Sequence, residues 1–254
     1  MLRKAEALHK YTLGAVDGEI GKVKDFYFDD RYWTVRYLVA DTGNWLEKSG
    51  VLISPYALVS VDEEREIIAT NLTKKQIENS PLPDADKPVS HQFEVTYHDY
   101  YGWPGYWTGL PYAGGAYPYP VPVRETAEQG EGTSWDSYLR SVQEVEGYGI
   151  GATDGDIGHI ADFVIDDKDW SIRYLVIDTR NWWPGKHVLM SPQWIERVSW
   201  GGRTVDVDLD RDTIKEAPEY THDSVITREY EIELFLHYSR DGYWTQAGCA
   251  SDPT

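Results

Sequence analysis

Residues 33–45 read Trp-Thr-Val-Arg-Tyr-Leu-Val-Ala-Asp-Thr-Gly-Asn-Trp, and residues 170–182 read Trp-Ser-Ile-Arg-Tyr-Leu-Val-Ile-Asp-Thr-Arg-Asn-Trp. The second stretch begins 137 residues after the first. The same offset carries Asp17-Gly18 onto Asp154-Gly155, Ser54-Pro55 onto Ser191-Pro192 and Tyr106-Trp107 onto Tyr243-Trp244, with no gap between them. Self-similarity at a fixed offset marks a duplicated structural unit. In an extended chain Trp33, Val35, Tyr37 and Val39 share one face and Thr34, Arg36, Leu38 and Ala40 the other. Both faces are largely apolar, which suits a strand covered on both sides. The repeat divides the chain into residues 1–107, residues 108–147 without a counterpart, and residues 148–254.

Outward from this strand the first copy breaks into short segments. Asp17-Gly18 is predicted as a two-residue type I′ hairpin turn, because that turn needs positive φ at both central positions. A strand follows from Ile20 towards Phe28, and Asp29-Asp30-Arg31 turns the chain into the central strand. Val51-Leu52-Ile53 reads as a short strand ended by Ser54-Pro55, since proline cannot donate to a ladder. Strands over residues 58–61 and 67–70 flank a polar turn, and Thr73 is placed to cap a helical turn or two. Six short strands with almost no helix between them predict a small antiparallel barrel or sandwich in each half.

Beyond each barrel a tail is expected. Phe93, Tyr97 and Tyr101 match Tyr230, Leu234 and Tyr238, an i, i+4, i+8 stripe along one side of a helix. A strand would fit the second copy equally, but Asp99, opposite Leu236 in the alignment, breaks the alternation in the first, and helix is preferred. Each tail ends in Gly-Tyr-Trp, at residues 105–107 and 242–244, and is expected to pack on a barrel. Residues 108–147 begin as a Pro, Gly and Tyr-rich run and become acidic, the composition of an extended linker. A short helix is predicted within residues 134–145.

The chain has 254 residues, 24 basic and 43 acidic, for a formal net charge of −19. Residues 148–254 hold 10 of the basic and 20 of the acidic ones. Repulsion from phosphates argues against nucleic acid or an anionic membrane surface as partner. Cys249 is the only cysteine, so neither a disulfide framework nor a cysteine metal site is expected, and a reducing compartment fits. No run approaches the ~18 apolar residues of a membrane span. The expectation is a soluble, cytoplasmic protein.

The run Asp17-Gly18-Glu19-Ile20-Gly21-Lys22-Val23-Lys24-Asp25, with Tyr37-Leu38-Val39-Ala40-Asp41 and Ile53-Ser54-Pro55, resembles the PRC-barrel domain. That β-barrel module is shared by the cytoplasmic part of the photosynthetic reaction-centre H subunit and the C-terminal part of a ribosome-maturation factor. The second copy is similar at Asp154-Gly155-Asp156-Ile157-Gly158, Asp162-Phe163 and Tyr174-Leu175-Val176-Ile177-Asp178. The resemblance covers about 70 residues in each half and rests on turns and core positions, so it bears on fold more than function. It implies two tandem small antiparallel barrels with helical tails, related by a pseudo-two-fold so that one chain imitates a dimer. It also implies a non-catalytic adaptor or regulatory role through protein contacts, in electron-transfer or assembly systems. A small-ligand or metal-ion binding protein is the alternative, and self-association is a further possibility for its partners.

A duplicated site should use polar residues present in both copies. These are Asp17/Asp154, Asp25/Asp162, Asp29/Asp166, Asp30/Asp167, Arg36/Arg173, Asp41/Asp178, Thr42/Thr179, Asn44/Asn181 and Ser54/Ser191. Most fall at predicted turns, where such side chains cap local donors. Arg36 and Arg173 lie inside a two-sided strand and must find an acceptor, either an internal carboxylate or a partner's. With Tyr101, Trp103, Trp107, Tyr238 and Trp244 they are the candidate partner contacts. Aromatic residues are 14% of the chain, with 11 Trp and 19 Tyr. Those of residues 97–122 are expected to cover apolar barrel surface and join the halves, with a platform for a sugar or proline-rich peptide as the alternative. No two of the seven histidines share the offset, and no catalytic or phosphate-binding motif is present, so neither an enzyme nor a cofactor is expected. Asp206, Asp208, Asp210 and Asp212 form the densest acidic run but miss the EF-hand spacing at its glycine. Alternating with Val205, Val207 and Leu209, they read as the wet face of an edge strand, and no metal is expected there.

Overall fold

The computed structural model describes residues 1–43, 50–83, 89–108, 138–179, 185–221 and 224–246. The expected linker lies outside them over residues 109–137, as do Asn44, Asn181 and Cys249. The strands are β1 (Leu2–Lys4), β2 (Thr12–Ala15), β3 (Gly18–Asp29), β4 (Thr34–Asp41), β5 (Val51–Ile53), β6 (Leu58–Asp62), β7 (Ile67–Thr70), β8 (Leu139–Ser141), β9 (Gly149–Ala152), β10 (Gly155–Asp166), β11 (Ile172–Asp178), β12 (His187–Met190), β13 (Ile195–Ser199) and β14 (Thr204–Val207). The helices are α1 (Ala5–Leu8), α2 (Lys74–Glu78), α3 (His91–Tyr101), α4 (Val142–Val145), α5 (Arg211–Glu216), α6 (Arg228–His237) and α7 (Tyr243–Gln246).

These strands form two seven-stranded, mostly antiparallel sheets with the same order. One runs β5-β4-β3-β2-β7-β6 with β8 added to β3, the other β12-β11-β10-β9-β14-β13 with β1 added to β10. Two features differ from a closed antiparallel barrel. The pairs β2–β7 and β9–β14 are parallel, and each hydrogen-bonded path is open, so the sheets are barrel-like. Side-chain alternation carries no information on strand direction, which is why the parallel pair was not visible in the sequence. It also corrects the edge position expected for Val205 and Val207: β14 lies between β9 and β13.

The first compact unit comprises residues Met1–Glu146 and Asp162–Arg173. Strand β4 is buried from Thr34 through Ala40, as the two-sided pattern requires. The turn before β3 differs from expectation by one residue. Ala15 pairs with Gly18, so Val16 and Asp17 form the loop, and neither has positive φ. The type I′ geometry is replaced because the Asp17 carboxylate accepts from the Lys74 amide at 2.8 Å, tying the turn to the first residue of α2. Thr73 and Gln76 close a reciprocal capping box there.

Two short arms in this unit pair reciprocally with the ends of long strands. β1 lies antiparallel to residues Val164, Ile165 and Asp166 of β10, and β8 antiparallel to Tyr27, Phe28 and Asp29 of β3. The two registers are related by the 137-residue offset. The helix expected over residues 134–145 therefore begins only at Val142, because the backbone of Leu139, Arg140 and Ser141 completes a ladder instead. Arg3 bonds Asp167 at 2.6 Å and Arg140 bonds Asp30 at 3.0 Å. Asp162 accepts from the Glu6 amide at 3.2 Å, and Asp25 accepts from the Ser141 hydroxyl at 2.5 Å and the Gln143 amide at 3.3 Å. Trp33 and Trp170 both sit in the left-handed region, with φ of 50° and 60°. The backbone fixes them there: Val35 donates to the Trp170 carbonyl at 2.8 Å and Ile172 to the Trp33 carbonyl at 2.7 Å.

The second unit comprises residues Gly147–Ala161 and Tyr174–Thr254. Its interior holds Ile150, Ile157, Ile160, Leu175, Ile177, Val188, Leu189, Val205, Leu234 and Phe235. Asp154 accepts from the Arg211 amide at 2.9 Å, anchoring its turn to α5 as Asp17 does to α2. The Ile-Gly pair after each turn has a steric cause. A Cβ on Gly21 (φ +154°) would stand 1.9 Å from the Asp41 carbonyl oxygen, and one on Gly158 (φ +112°) 2.1 Å from that of Asp178. Gly21→Ala and Gly158→Ala are each expected to cost roughly 2–5 kcal/mol, from overpacking against backbone and a disfavoured φ. Urea unfolding would measure it, and a loss under 1 kcal/mol would contradict the close approach.

Candidate functional site

Each tail is a capped helix laid over the central strand of its own copy. The Ser90 hydroxyl accepts from the Phe93 amide and the Thr227 hydroxyl from the Tyr230 amide, both at 3.2 Å. Gly102, at φ 70°, ends α3 in the left-handed conformation. Tyr97, at the centre of the predicted stripe, packs with Tyr37, Val39, Leu52 and Val89, flanked by Phe93, Tyr101 and Trp103. Its hydroxyl donates to the Leu52 carbonyl at 2.8 Å, which satisfies the buried polar end. In the second copy Leu234 and Tyr238 are buried alike.

The polar centre of each tail is a glutamate that turns inward. Glu94 is 3% exposed and accepts from the hydroxyls of Tyr37 at 3.2 Å and Tyr106 at 2.6 Å. Glu231 is likewise 3% exposed and accepts from Tyr174 at 2.6 Å and Tyr243 at 2.8 Å. All three positions are related by the 137-residue offset, so this is a duplicated clamp. One hydroxyl comes from the strand and one from the Gly-Tyr-Trp end, and the carboxyl joins them through the helix. Burial pushes Glu94 up to about 7, against the lowering effect of the two tyrosine hydrogen bonds. Burial beside this carboxyl also raises the Tyr37 and Tyr106 hydroxyls, which stay protonated as donors.

The copies differ in the cation at the rim of the clamp. The Arg228 guanidinium reaches Glu231 at 2.9 Å and lies 4.2 Å over the Trp244 ring. His91 occupies the corresponding place, 3.7 Å from Glu94, with its ring 4.7 Å from that of Trp107. A histidine supplies a cation there only when protonated. Behind it His98 is buried among Tyr37, Tyr56, Trp103, Tyr106 and Trp107, and burial pulls it down to about 4, so it is neutral.

The candidate partner contacts each have a place in this frame. Arg36, 4% exposed, reaches Asp29 at 3.4 Å and lies 4.0 Å over the Tyr106 ring. Arg173 bonds Asp169 and reaches Asp166 at 3.6 Å, so both arginines meet carboxylates of the chain itself. Tyr101 stacks on Trp103 at 4.4 Å, Tyr238 lies 4.5 Å from Trp194, and Trp244 meets Phe235 at 5.1 Å. Trp107 is the most open of these rings, at 37% exposure. Ser54 and Ser191 cap short turns at Tyr56 and Gln193. The acidic run is divided among separate partners: Asp206 bonds Arg197, Asp208 bonds Arg240, Asp210 caps α5 and Asp212 reaches Lys215.

Sequence reasoning missed Glu94, Glu231 and their tyrosines as polar partners. The available signal was an acid on the buried stripe, one turn before Tyr97 and Leu234, recurring at the duplication offset. Chemically the clamp joins a buried carboxyl to two tyrosine hydroxyls in each copy. Among the described residues no group of three His, Cys, Asp or Glu side chains is arranged to hold a metal, and no helix is long and apolar enough to cross a membrane.

The strand order, the parallel pair within each sheet and the helical cover define a class of small, open, barrel-like β modules. Residues 14–77 match the PRC-barrel domain. The match runs from within β2 through α2, including Tyr37 but ending before Glu94, so the clamp joins the domain to its tail. No curated protein matches the chain.

Glu94 holds its proton to higher pH folded than unfolded, so its contribution to stability is complete below its ordinary value of 4.5 and declines as pH rises towards about 7. Burial also raises Asp30 and Asp162 to about 6 and Glu146 to about 7, which adds to the same decline. Comparison with Glu94→Gln isolates one group: between pH 4.5 and 7.5 the wild type should lose on the order of 2–3 kcal/mol relative to the variant. Parallel urea titrations measure the difference, and identical pH profiles would show that Glu94 titrates normally.

Proposed function

We propose that the chain is a non-catalytic adaptor or regulatory protein, built from two PRC-barrel-like copies and acting through protein–protein contacts. The observation that carries this reading is where the recurring ionisable side chains go. Asp25 and Asp162 hold arm backbone, Asp29 and Asp166 meet Arg36 and Arg173, and Glu94 and Glu231 bind tyrosine hydroxyls. Catalysis needs groups poised towards a substrate, whereas these are engaged inside the fold. The PRC-barrel match over residues 14–77 supports the adaptor role and, more narrowly, a place in an electron-transfer or assembly system. The formal charge of −19 favours a protein partner with basic character over nucleic acid. The lone cysteine supports a reducing, cytoplasmic setting.

Affinity capture of the tagged full-length chain from its native cells after crosslinking is expected to recover a protein in stoichiometric amount. If none is recovered, and a panel of metals and sugars raises the melting temperature by several degrees, the ligand-binding alternative replaces this reading.

A further inference from the structure

We infer that the outward side of α6 is a docking surface for a basic amphipathic helix of a partner protein. The inference rests on the adaptor reading and specifies where and with what the chain makes contact. Residues 229, 232, 233 and 236 follow i, i+3, i+4, i+7 spacing and share one side of the helix. Ile232 is 44% and Leu236 72% exposed, while Glu231, Leu234 and Phe235 are buried on the other side. Single exposed apolar residues are common. Here two stand about one turn apart, with the exposed Glu229 and Glu233 on the same side of the helix. Neither glutamate has an ion-pair partner among the described residues.

The first copy lacks this surface. The corresponding side of α3 carries Gln92, Val95, Thr96 and Asp99, with amides and hydroxyls where α6 has acids and an acid where α6 has Leu236. The inner sides of both helices keep the same glutamate clamp. The inner sides differ in their apolar filling, Tyr97 and His98 against Leu234 and Phe235, but the exposed aliphatic pair with its flanking acids is found on α6 alone of the two.

Charge decides among possible occupants. A second copy of the chain, pairing α6 with α6, would set Glu229 and Glu233 against themselves, and like-charge juxtaposition opposes such pairing. An anionic bilayer is repelled by the same acids. A helix with an apolar stripe flanked by lysine or arginine matches both the aliphatic pair and the acids, in the helix-on-surface mode of peptide recognition. With only two aliphatic anchors, the contact is weak and salt-sensitive.

The test uses the full chain and a labelled helical peptide of about 18 residues, Leu on one face and Lys on the other. The expected result is saturable binding, weakened about tenfold or more by Ile232→Ser with Leu236→Ser, which leaves the charge unchanged. Glu229→Gln with Glu233→Gln should weaken it and flatten its salt dependence, whereas Val95→Ser on α3 should not alter it. A Leu/Glu peptide of the same pattern and phosphatidylserine vesicles should not bind, and sedimentation of the chain alone should be the same with and without the α6 substitutions. Peptide binding unaffected by the serine pair would reduce the effect to general attraction by an acidic surface and overturn the inference. So would vesicle binding, or self-association, that the serine pair abolishes. A cellular partner that still binds the serine-pair protein would remove the α6 surface while leaving the adaptor reading in place.

Discussion

The buried ends of β3 and β10 need hydrogen-bond partners that the hairpins containing them do not supply. A buried amide or carbonyl without a partner costs about as much as a lost hydrogen bond, so such a strand end must acquire another strand or reach water. The chain solves this twice with the same geometry: residues 2–4 complete β10, and residues 139–141 complete β3. β1 belongs to the first copy and completes β10 of the second, while β8, 137 residues on and inside the segment expected to lack a counterpart, completes β3 of the first. This exchange gives the duplication a physical role, since one repeat alone would leave its β3 equivalent uncovered. The recurring aspartates follow from it. Asp25 and Asp162 receive the amides at the starts of α4 and α1, and Asp30 and Asp167 hold the arginines of the arms. The left-handed tryptophans follow too. A bulky residue at positive φ is strained by about 1–2 kcal/mol, and each is held by a backbone bond from beside the other.

The tails answer a second demand. A central strand buried on both faces needs a cover, and Tyr37 and Tyr174 bring hydroxyls into the covered region. A purely apolar helix would leave those hydroxyls unsatisfied, at a cost of about 1–3 kcal/mol each. Glu94 and Glu231 meet the demand and, with a second tyrosine, fasten the Gly-Tyr-Trp end. A buried carboxyl is itself expensive when ionised. In the second copy the Arg228 guanidinium stands 2.9 Å from the carboxyl, whereas in the first the His91 ring stands 3.7 Å from it. The same fastening thus has a different neighbour at its rim in each copy.

Period and offset made the strands, the tail helices, the capping of α2 and the burial of β4 legible in the sequence. Each is a local pattern with a local cause: alternation for β4, a four-residue stripe for α3, Thr73 with Gln76 for the cap. What escaped was decided between distant segments. The local sequence of Leu139-Arg140-Ser141 predicts helix, but a ladder about 112 positions away in sequence, at Tyr27, Phe28 and Asp29, overrides that preference. The parallel pairing of β2 with β7 leaves no trace in alternation. The dipeptide Asp17-Gly18 by itself predicts a type I′ hairpin, but Asp17 answers to Lys74, 57 residues on. Acids on a helix are usually solvated, and only their position beside the aromatic stripe sets Glu94 and Glu231 apart.

Two copies of one fold in a single chain are free to diverge wherever the exchange and the clamp do not hold them. The polar inner positions are alike: Asp25 with Asp162, Arg36 with Arg173, Glu94 with Glu231 and Tyr106 with Tyr243 are the same in type. The outer ones are not, as His91 against Arg228 and Asp99 against Leu236 make plain. In a homodimer both surfaces would be identical, and any contact would form twice or not at all. Duplication within one chain removes that restriction, because an outward side chain can change on one copy while the arms still see the same partners. The arms and the clamp therefore constrain the buried polar residues of both copies, while the outward residues of α3 and α6 are left to differ.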